Sequence, residues 1–140
     1  MGRLIGENIV SDKQKPYIGA LASSVIRIGD YGAGATGLTE QDAKRLELNY
    51  KTSLVKANNH SNYWPNQQAI TIKLVYDAET RIIYGGQVFG IYGAAERLGA
   101  LTMAVYNSNT VDELGFMDFA YSPPFASTWD ALNVAGNASK

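Results

Sequence analysis

The stretch Ile70-Thr71-Ile72-Lys73-Leu74-Val75-Tyr76 decides the fold class of this chain of 140 residues. Ile70, Ile72, Leu74 and Tyr76 alternate, which is the period of a β-strand that buries one face. The residues Asp77 to Thr80 have the composition of a tight turn, so Arg81 to Phe89 is predicted to return as the second strand of a β-hairpin. A hairpin without regular alternation of strands and helices predicts an α+β domain whose mostly antiparallel sheet is flanked by helices.

The elements around this hairpin are predicted from hydrophobic spacing and from capping signals. Ala94, Leu98, Leu101 and Val105 recur at helical spacing, which predicts an amphipathic helix over residues 93–107. Thr39 to Asp42 has the form of a capping box before a short helix that ends near Leu46. The other predictions are strands over Val25–Ile28 and Tyr50–Ala57, a glycine-rich loop over Gly29–Gly37, and a last helix near Trp129 that is capped by Ser127 or Thr128.

The first residues differ in character from the rest of the chain. Leu4, Ile5 and Ile9 are apolar at helical spacing, so Gly2 to Val10 is predicted as a helix. No capping residue precedes Arg3, and a polar, linker-like segment follows. We therefore expect residues 1–15 to be the remnant of a preceding domain with its linker, and residues 16–140 to form one domain.

Composition excludes several classes of protein. Hydrophobic residues make up 46% and charged residues 18% of the chain, which excludes disorder. The net charge of −1 provides no electrostatic attraction for nucleic acid or for an anionic membrane. There is no apolar run of the roughly 20 residues that span a bilayer and no visible signal peptide, so we expect a cytoplasmic protein.

Motifs of catalysis are absent from the chain. It contains no cysteine and thus no thiol chemistry or disulfide of its own. The glycines of residues 29–37 do not form a Gly-x-Gly-x-x-Gly or a Gly-Lys-Ser/Thr motif. His60 is the only histidine, which argues against a metal site and against a Ser-His-Asp set. The residues alone indicate an interaction domain that carries out no reaction.

Two clusters combine aromatic residues with proline. The first is His60-Ser61-Asn62-Tyr63-Trp64-Pro65 and the second is Tyr121-Ser122-Pro123-Pro124-Phe125, which is followed by Trp129. Because proline fixes φ and removes a backbone donor, Tyr121 to Phe125 is expected to be extended. This second cluster is interpreted either as a strap that closes the core of the domain or as an arm that docks on a partner.

Five motifs in chain order carry a resemblance to a known family. They are Gly2-Arg3 with Asn8-Ile9; Thr36-Gly37-Leu38-Thr39-Glu40; His60 to Pro65; Gly85-Gly86-Gln87 with Gly90, Gly93 and Arg97; and Tyr121 to Phe125 with Asp130-Ala131-Leu132-Asn133. With these motifs the chain resembles the C-terminal dimerisation domain of the FAD-dependent pyridine nucleotide-disulfide oxidoreductases. The branch it resembles is that of coenzyme A-disulfide reductase and NADH oxidase. Trp64, Gly99 and Ala131 depart from the tyrosine, aspartate and proline that are usual there.

The resemblance implies a homodimer whose interface this domain supplies. The parent enzyme would use FAD and NAD(P)H to reduce a disulfide, oxygen or peroxide, and residues 1–15 would be the end of its FAD domain. Tyr63 and Tyr121 would lie near the redox cysteine and flavin of the partner subunit, where a phenol hydrogen-bonds a thiolate, a sulfenate or a disulfide. Pro123 and Phe125 would lie near that flavin. The residues expected to support this site or the interface are His60, Gln87, Arg97, Trp129 and Asp130.

The resemblance also implies what this chain lacks by itself. We expect it to bind no FAD, NAD(P)H or metal and to be inactive without the FAD and NAD(P)H domains. A His-Glu dyad from the C-terminal tail is excluded, since no histidine follows His60. The alternative is a stand-alone α+β module that binds a peptide or a small ligand through its aromatic clusters. An RNA-binding sheet is disfavoured by the near-neutral charge.

Overall fold

The computed structural model describes residues 1–140, which form five strands and five helices. One antiparallel sheet has the strand order β1-β2-β5-β4-β3. The strands are β1 (Ser24–Ile28), β2 (Tyr31–Gly37), β3 (Tyr50–Asn58), β4 (Ala69–Asp77) and β5 (Ile83–Gly90). The helices are α1 (Gly2–Val10), α2 (Glu40–Arg45), α3 (Ala94–Tyr106), α4 (Val111–Phe116) and α5 (Ala131–Ala138). The predicted α+β class is confirmed.

The core lies between one face of the sheet and helices α3, α4 and α5. The four alternating side chains of β4 are at most 1% exposed, and they are Ile70, Ile72, Leu74 and Tyr76. The four predicted positions of α3 are buried against them, as are Leu114 of α4 and Leu132 of α5. Burying each large apolar side chain contributes about 1.5–3 kcal/mol, so this face holds the helices on the sheet.

The glycine-rich stretch forms a strand, so the prediction of a loop is wrong over Tyr31–Gly37. Gly34 lies on the face of the sheet that α3 covers. A Cβ there would stand 2.5 Å from Cδ2 of Leu98 and 2.8 Å from the carbonyl oxygen of Ser24. Glycine occupies the position because the helix packs closely on the strand. The glycine content of residues 29–37 is typical of a turn, which is why the sequence predicts a loop there.

The helix termini confirm one capping prediction and correct two others. The capping box of Thr39 with Asp42 is present at α2. Helix α4 was not predicted, although Thr110 and Glu113 form an equivalent capping box at its start. The cap of α5 is Asp130, whose carboxylate accepts from the amide of Leu132 at 2.9 Å. The prediction that Ser127 or Thr128 caps this helix is therefore wrong, because the helix begins two residues later than expected.

The second face of the sheet is open and largely apolar. The strand register places five large side chains together on this face, each 45–69% exposed: Ile26, Ile28, Tyr31, Leu54 and Phe89. The rings of Tyr31 and Phe89 stack, with their centroids 4.9 Å apart. We call this surface the open sheet face.

Helix α1 buries none of its residues. None of the helices has the length and apolar character that crossing a membrane requires.

The turn between β4 and β5 allows a prediction about acid stability. The Tyr84 hydroxyl donates to the carboxylate of Asp77, which also accepts from the amides of Glu79 at 2.9 Å and Thr80 at 2.6 Å. These bonds, that from Tyr84 first, hold the pKa of Asp77 far below its usual range. A carboxyl whose pKa is lowered in the folded state stabilises the fold above its unfolded pKa of about 3.9, and this contribution is lost as the pH falls toward the folded pKa.

We therefore expect Tyr84→Phe to lower the free energy of unfolding at pH 7 and to lower it less as the pH falls from 4 toward 2. Urea unfolding at several pH values measures this difference. Tyr50→Phe is the control, since it removes a hydroxyl from the residue of β3 that is paired with Asp77. A loss for Tyr84→Phe that is the same at every pH would contradict the assignment.

Candidate functional site

Two irregular segments meet beside the N-terminal end of α3 and bring two tyrosines together. They are the β3–β4 loop (residues 59–68) and the segment between α4 and α5 (residues 117–130), which we call the strap. The hydroxyl oxygens of Tyr63 and Tyr121 are 2.9 Å apart. These side chains are 68% and 47% exposed, so the hydrogen-bonded pair faces the solvent.

The strap turns where it was predicted to be extended. The carbonyl oxygen of Ser122 accepts from the amides of Phe125 at 2.9 Å and Ala126 at 3.0 Å, so the prediction for Tyr121 to Phe125 is wrong. The turn tolerates Pro123 and Pro124 because the first amides of a helical turn have no partner within it. The prolines make this turn rigid without extending the chain.

The aromatic side chains of the strap are directed mostly into solvent. Phe125 is 77% and Trp129 is 54% exposed, and the Trp129 ring meets that of Phe116 edge-on with 6.3 Å between centroids. Phe119 packs against the core only in part, and Ala126 is buried. The interpretation of a strap that closes its own core is therefore wrong for Tyr121, Phe125 and Trp129.

The β3–β4 loop is bonded directly to the strap. The Ser61 amide donates to the carbonyl oxygen of Pro123 at 3.3 Å, and the Ser61 hydroxyl donates to that of Ala126 at 3.2 Å. His60 is 6% exposed, and its Nδ1 lies 3.0 Å from the carbonyl oxygen of Ser61. Gln67 Nε2 donates to the His60 carbonyl oxygen at 2.7 Å. His60 is thus a buried, hydrogen-bonded residue of the loop.

A buried ion pair lies behind the two segments. Arg97 Nη2 donates to Oδ2 of Asp130 at 2.6 Å and Nε donates to Oδ1 at 3.1 Å, and both residues are 6% exposed. Arg97 also donates to the carbonyl oxygen of Gly93 at 3.3 Å. Gly93 has a φ of +81°, and a Cβ there would stand 2.2 Å from Arg97 Nη1. The backbone conformation favours glycine at this position, and a Cβ there would displace the guanidinium.

Asn133 secures the other end of the strap. Its side-chain Nδ2 donates to the carbonyl oxygens of Leu114 at 3.2 Å, Gly115 at 3.3 Å and Met117 at 3.0 Å. Ser61, Gln67 and Asn133 donate hydrogen bonds within this cluster but are not among the predicted supports. Two of them lie within quoted motifs, Asn133 in Asp-Ala-Leu-Asn and Ser61 in the cluster from His60 to Pro65, but nothing in the sequence indicates the bonds that they form.

A cleft of about 640 Å³ opens between the loop, the strap and α3. Its walls include Trp64, Tyr92, Glu96, Pro124 and Phe125. Gln87 lies elsewhere, on the open sheet face opposite Ala35 and Lys73. No three carboxylate or imidazole side chains are grouped as they would be to ligate a metal ion.

The two phenols are chemically inequivalent. The hydrogen bond between them raises the pKa of Tyr63 and lowers the pKa of Tyr121. The hydroxyls of Ser61 and Thr128 lower the pKa of Tyr121 further. Either hydroxyl can donate this bond, and the O–H of the other tyrosine is then free to donate outward. The pair can therefore offer a hydrogen bond or a proton to an anion that approaches from solvent.

The sequence pattern of a known family covers most of this domain. It is described as the pyridine nucleotide-disulphide oxidoreductase dimerisation domain, and it matches residues 23–132. The chain belongs to this family. The five-stranded antiparallel sheet, the β3–β4 loop, the strap and the cap of α5 lie within the matched residues.

Relatives of this dimerisation domain come from enzymes with different acceptors. The NAD(P)H sulfur oxidoreductase (CoA-dependent) of Pyrococcus furiosus is 34% identical over 100% of the chain and 31% of its own length. The coenzyme A disulfide reductase of Staphylococcus aureus is 29% identical over 98% of the chain and 31% of its own length. The solved water-forming NADH oxidase from Lactobacillus brevis, bound to NADH, matches with a TM-score of 0.91 and 30% identity over 98% of the chain and 30% of its own. The chain spans about a third of these relatives.

Proposed function

We propose that this chain is the dimerisation domain of a longer homodimeric flavoprotein that oxidises NAD(P)H and reduces a disulfide, a persulfide, oxygen or peroxide. In this proposal the domain supplies the dimer interface and places Tyr63 and Tyr121 in the active site of the partner subunit. The observation that carries the proposal is the exposed phenol pair, which two irregular segments present to solvent from a buried, hydrogen-bonded base. The names of the relatives support the class of reaction.

Unpartnered apolar surface supports the need for further protein. The open sheet face exposes five large apolar side chains, and α1 exposes Ile5, Ile9 and Val10. Contiguous apolar surface of this kind marks an interaction site more often than it marks free surface. We propose that residues 1–15 belong to the end of the FAD domain and its linker and that residues 16–140 are the dimerisation domain. A stand-alone module for a peptide or small ligand would use the cleft but has no role for these surfaces.

The chain by itself does not fit a flavin or a dinucleotide. Its glycine-rich stretch is a strand packed under α3, so this stretch offers no loop of amides to a pyrophosphate. What fits is a contribution to the edge of a site, through the exposed Phe125 ring, the turn at Pro123 and the phenol pair. FAD and NAD(P)H would supply the electrons when bound to the rest of the protein.

The tyrosine pair would act on the sulfur or oxygen that is being reduced. As a disulfide or peroxide bond breaks, negative charge grows on the departing atom. The outward O–H of the pair would donate a hydrogen bond or its proton to that atom, and the hydroxyl of the other tyrosine would stabilise the charge left on the donor. Neither phenol needs another acid in this chain for that role.

The proposed interface predicts that the chain self-associates through the open sheet face. We expect sedimentation equilibrium to show dimers at micromolar concentration and Phe89→Asp to shift the chain toward monomer, because it places a charge among apolar side chains. Met103→Asp is the matched control, since Met103 is 57% exposed on α3. If the chain remains monomeric at high concentration, the interface in this domain is not sufficient for dimerisation. If only Met103→Asp abolishes the dimers, the interface lies on the helical side of the sheet.

The same preparation tests the division of labour between domains. With FAD and NADH added, we expect the 140-residue chain to retain no flavin on gel filtration and to consume no NADH. Appreciable NADH oxidation by the chain alone would contradict the proposed role.

A further inference from the structure

Arg97 connects every element that surrounds the tyrosine pair. Besides its bonds to Asp130 at the start of α5, its Nη2 donates to the carbonyl oxygen of Asn59 at 2.8 Å. A longer contact of 3.5 Å joins Nη2 to the carbonyl oxygen of Phe125 in the strap. One buried guanidinium on α3 thus contacts the β3–β4 loop, the strap and the cap of α5.

The tyrosines themselves have no regular secondary structure to hold them. Tyr63 lies two residues beyond Ser61, and Tyr121 lies two residues before Pro123, and Ser61 and Pro123 are joined by the amide bond at 3.3 Å. The distance between the two hydroxyl oxygens therefore depends on how the loop sits against the strap. Arg97 bonds to the loop at Asn59 and to the strap at Phe125, close to this junction on both sides.

We propose that the Arg97–Asp130 ion pair is a positioning device that holds the loop against the strap and so keeps the Tyr63 hydroxyl within hydrogen-bond distance of Tyr121. Arg97 and Asp130 are positioning residues here, since both act through the tyrosines. Only the catalytic consequence of this positioning rests on the proposed function.

The chemistry of the guanidinium suits this task. Its planar fork donates to several acceptors in fixed directions, whereas a lysine ammonium is a point charge on a flexible stem. A buried ion pair often contributes no more to stability than apolar side chains of similar volume, so its presence is better explained by the geometry it imposes. Asp130 balances the charge of Arg97, and its carboxylate also caps α5 through Leu132.

The pKa values of Tyr63 and Tyr121 depend on the hydrogen bond between their hydroxyls. Paired, Tyr121 has a lowered pKa and Tyr63 a raised one, so separation of the loop from the strap should move both toward the ordinary value of about 10. The other groups that act on the pair are the hydroxyls of Ser61 in the loop and Thr128 in the strap, and no charged side chain contributes. A change in the titration thus reflects a change in hydrogen bonding.

The test is an NMR titration of the 140-residue chain labelled with ¹³Cζ-tyrosine. Tyr63→Phe and Tyr121→Phe assign the two resonances, and Tyr63→Phe also defines the pKa of unpaired Tyr121. We expect Arg97→Lys to move the pKa of Tyr121 most of the way to that unpaired value. Arg81→Lys is the matched control, because Arg81 forms an ion pair with Asp112 at 2.5 Å outside the loop and the strap, and it should leave the titration of Tyr63 and Tyr121 unchanged.

An unchanged pKa of Tyr121 in folded Arg97→Lys would overturn the proposal, because a purely structural ion pair would lower only the melting temperature. If Arg97→Lys does not fold, Asp130→Asn gives the same reading, since asparagine preserves the helix cap but removes the charge. In the full-length protein, Arg97→Lys should lower kcat/KM as loss of the tyrosines does. If Arg97→Lys separates the tyrosines but kcat/KM is unchanged, the proposal that Arg97 positions them stands, and the result counts against the proposed function.

Discussion

Replacing Asp130 with alanine should lower the free energy of unfolding by about 3–5 kcal/mol, because the substitution leaves the guanidinium of Arg97 buried without a counter-charge. Asp130 and Arg97 are both 6% exposed, so water cannot compensate for the lost partner. The substitution also removes the cap of α5, which by itself costs about 1 kcal/mol. Urea unfolding followed by far-ultraviolet circular dichroism measures the change.

Two other substitutions serve as controls for this effect. Asp112→Ala breaks an ion pair with Arg81 in which the carboxylate is 62% exposed, and it should cost no more than about 1 kcal/mol. Asp130→Asn retains an oxygen for the cap and should fall between the two alanine variants. A loss for Asp130→Ala as small as that for Asp112→Ala would show that the pair is solvated in solution.

Removing both phenol hydroxyls should lower the kcat/KM of the full-length protein for its acceptor about 10²-fold, which is the lower range for loss of a positioned acid. The variant combines Tyr63→Phe with Tyr121→Phe. Both side chains are exposed, so stability should change little and the effect should fall on the reaction. Steady-state kinetics with NADH and the acceptor measures it.

A third exposed tyrosine provides the control for this prediction. Tyr92 is 62% exposed and lines the cleft on the α3 side, but the hydrogen bond of the pair does not involve it. Tyr92→Phe should leave kcat/KM unchanged. Equal activity of the double variant and the wild type would contradict the role of the phenols, whatever the interface of the dimer.

The parts of the fold that could be predicted are those in which burial leaves a period in the sequence. The alternation from Ile70 to Tyr76 and the helical spacing from Ala94 to Val105 correspond to faces that are buried in the core. The box of Thr39 with Asp42 could be recognised because a helix cap depends on neighbouring residues alone. Such signals are local, and they were sufficient for the α+β class.

The parts that could not be predicted depend on contacts between distant segments. Strand β2 has the composition of a loop because Gly34 lies directly beneath α3, which no local pattern reveals. Helix α4 has only six residues, too few for a hydrophobic period, although its capping box of Thr110 with Glu113 was visible. The strap turns at Ser122 because the prolines fit a helical turn as well as an extended chain.

The candidate site could be predicted only in outline. Tyr63 and Tyr121 were assigned by resemblance, and the structure brings their hydroxyls together across 58 residues of sequence. The bonds from Ser61 to Pro123 and Ala126 depend on the folded positions of the loop and the strap. Gln87 was grouped with the supports but lies on the open sheet face, so its proposed role is confined to an interface.

The most direct test of the central claim is complementation in mixed dimers of the full-length protein. One subunit carries Tyr63→Phe and Tyr121→Phe, and the other carries intact tyrosines but a serine in place of the redox cysteine that the resemblance assigns to the missing domains. Each homodimer should have little activity. If the tyrosines serve the partner, the purified mixed dimer contains one complete site and should regain about half of the wild-type kcat per dimer. A mixed dimer as inactive as the two homodimers would show that the tyrosines serve their own subunit, or no site at all, and would contradict the account.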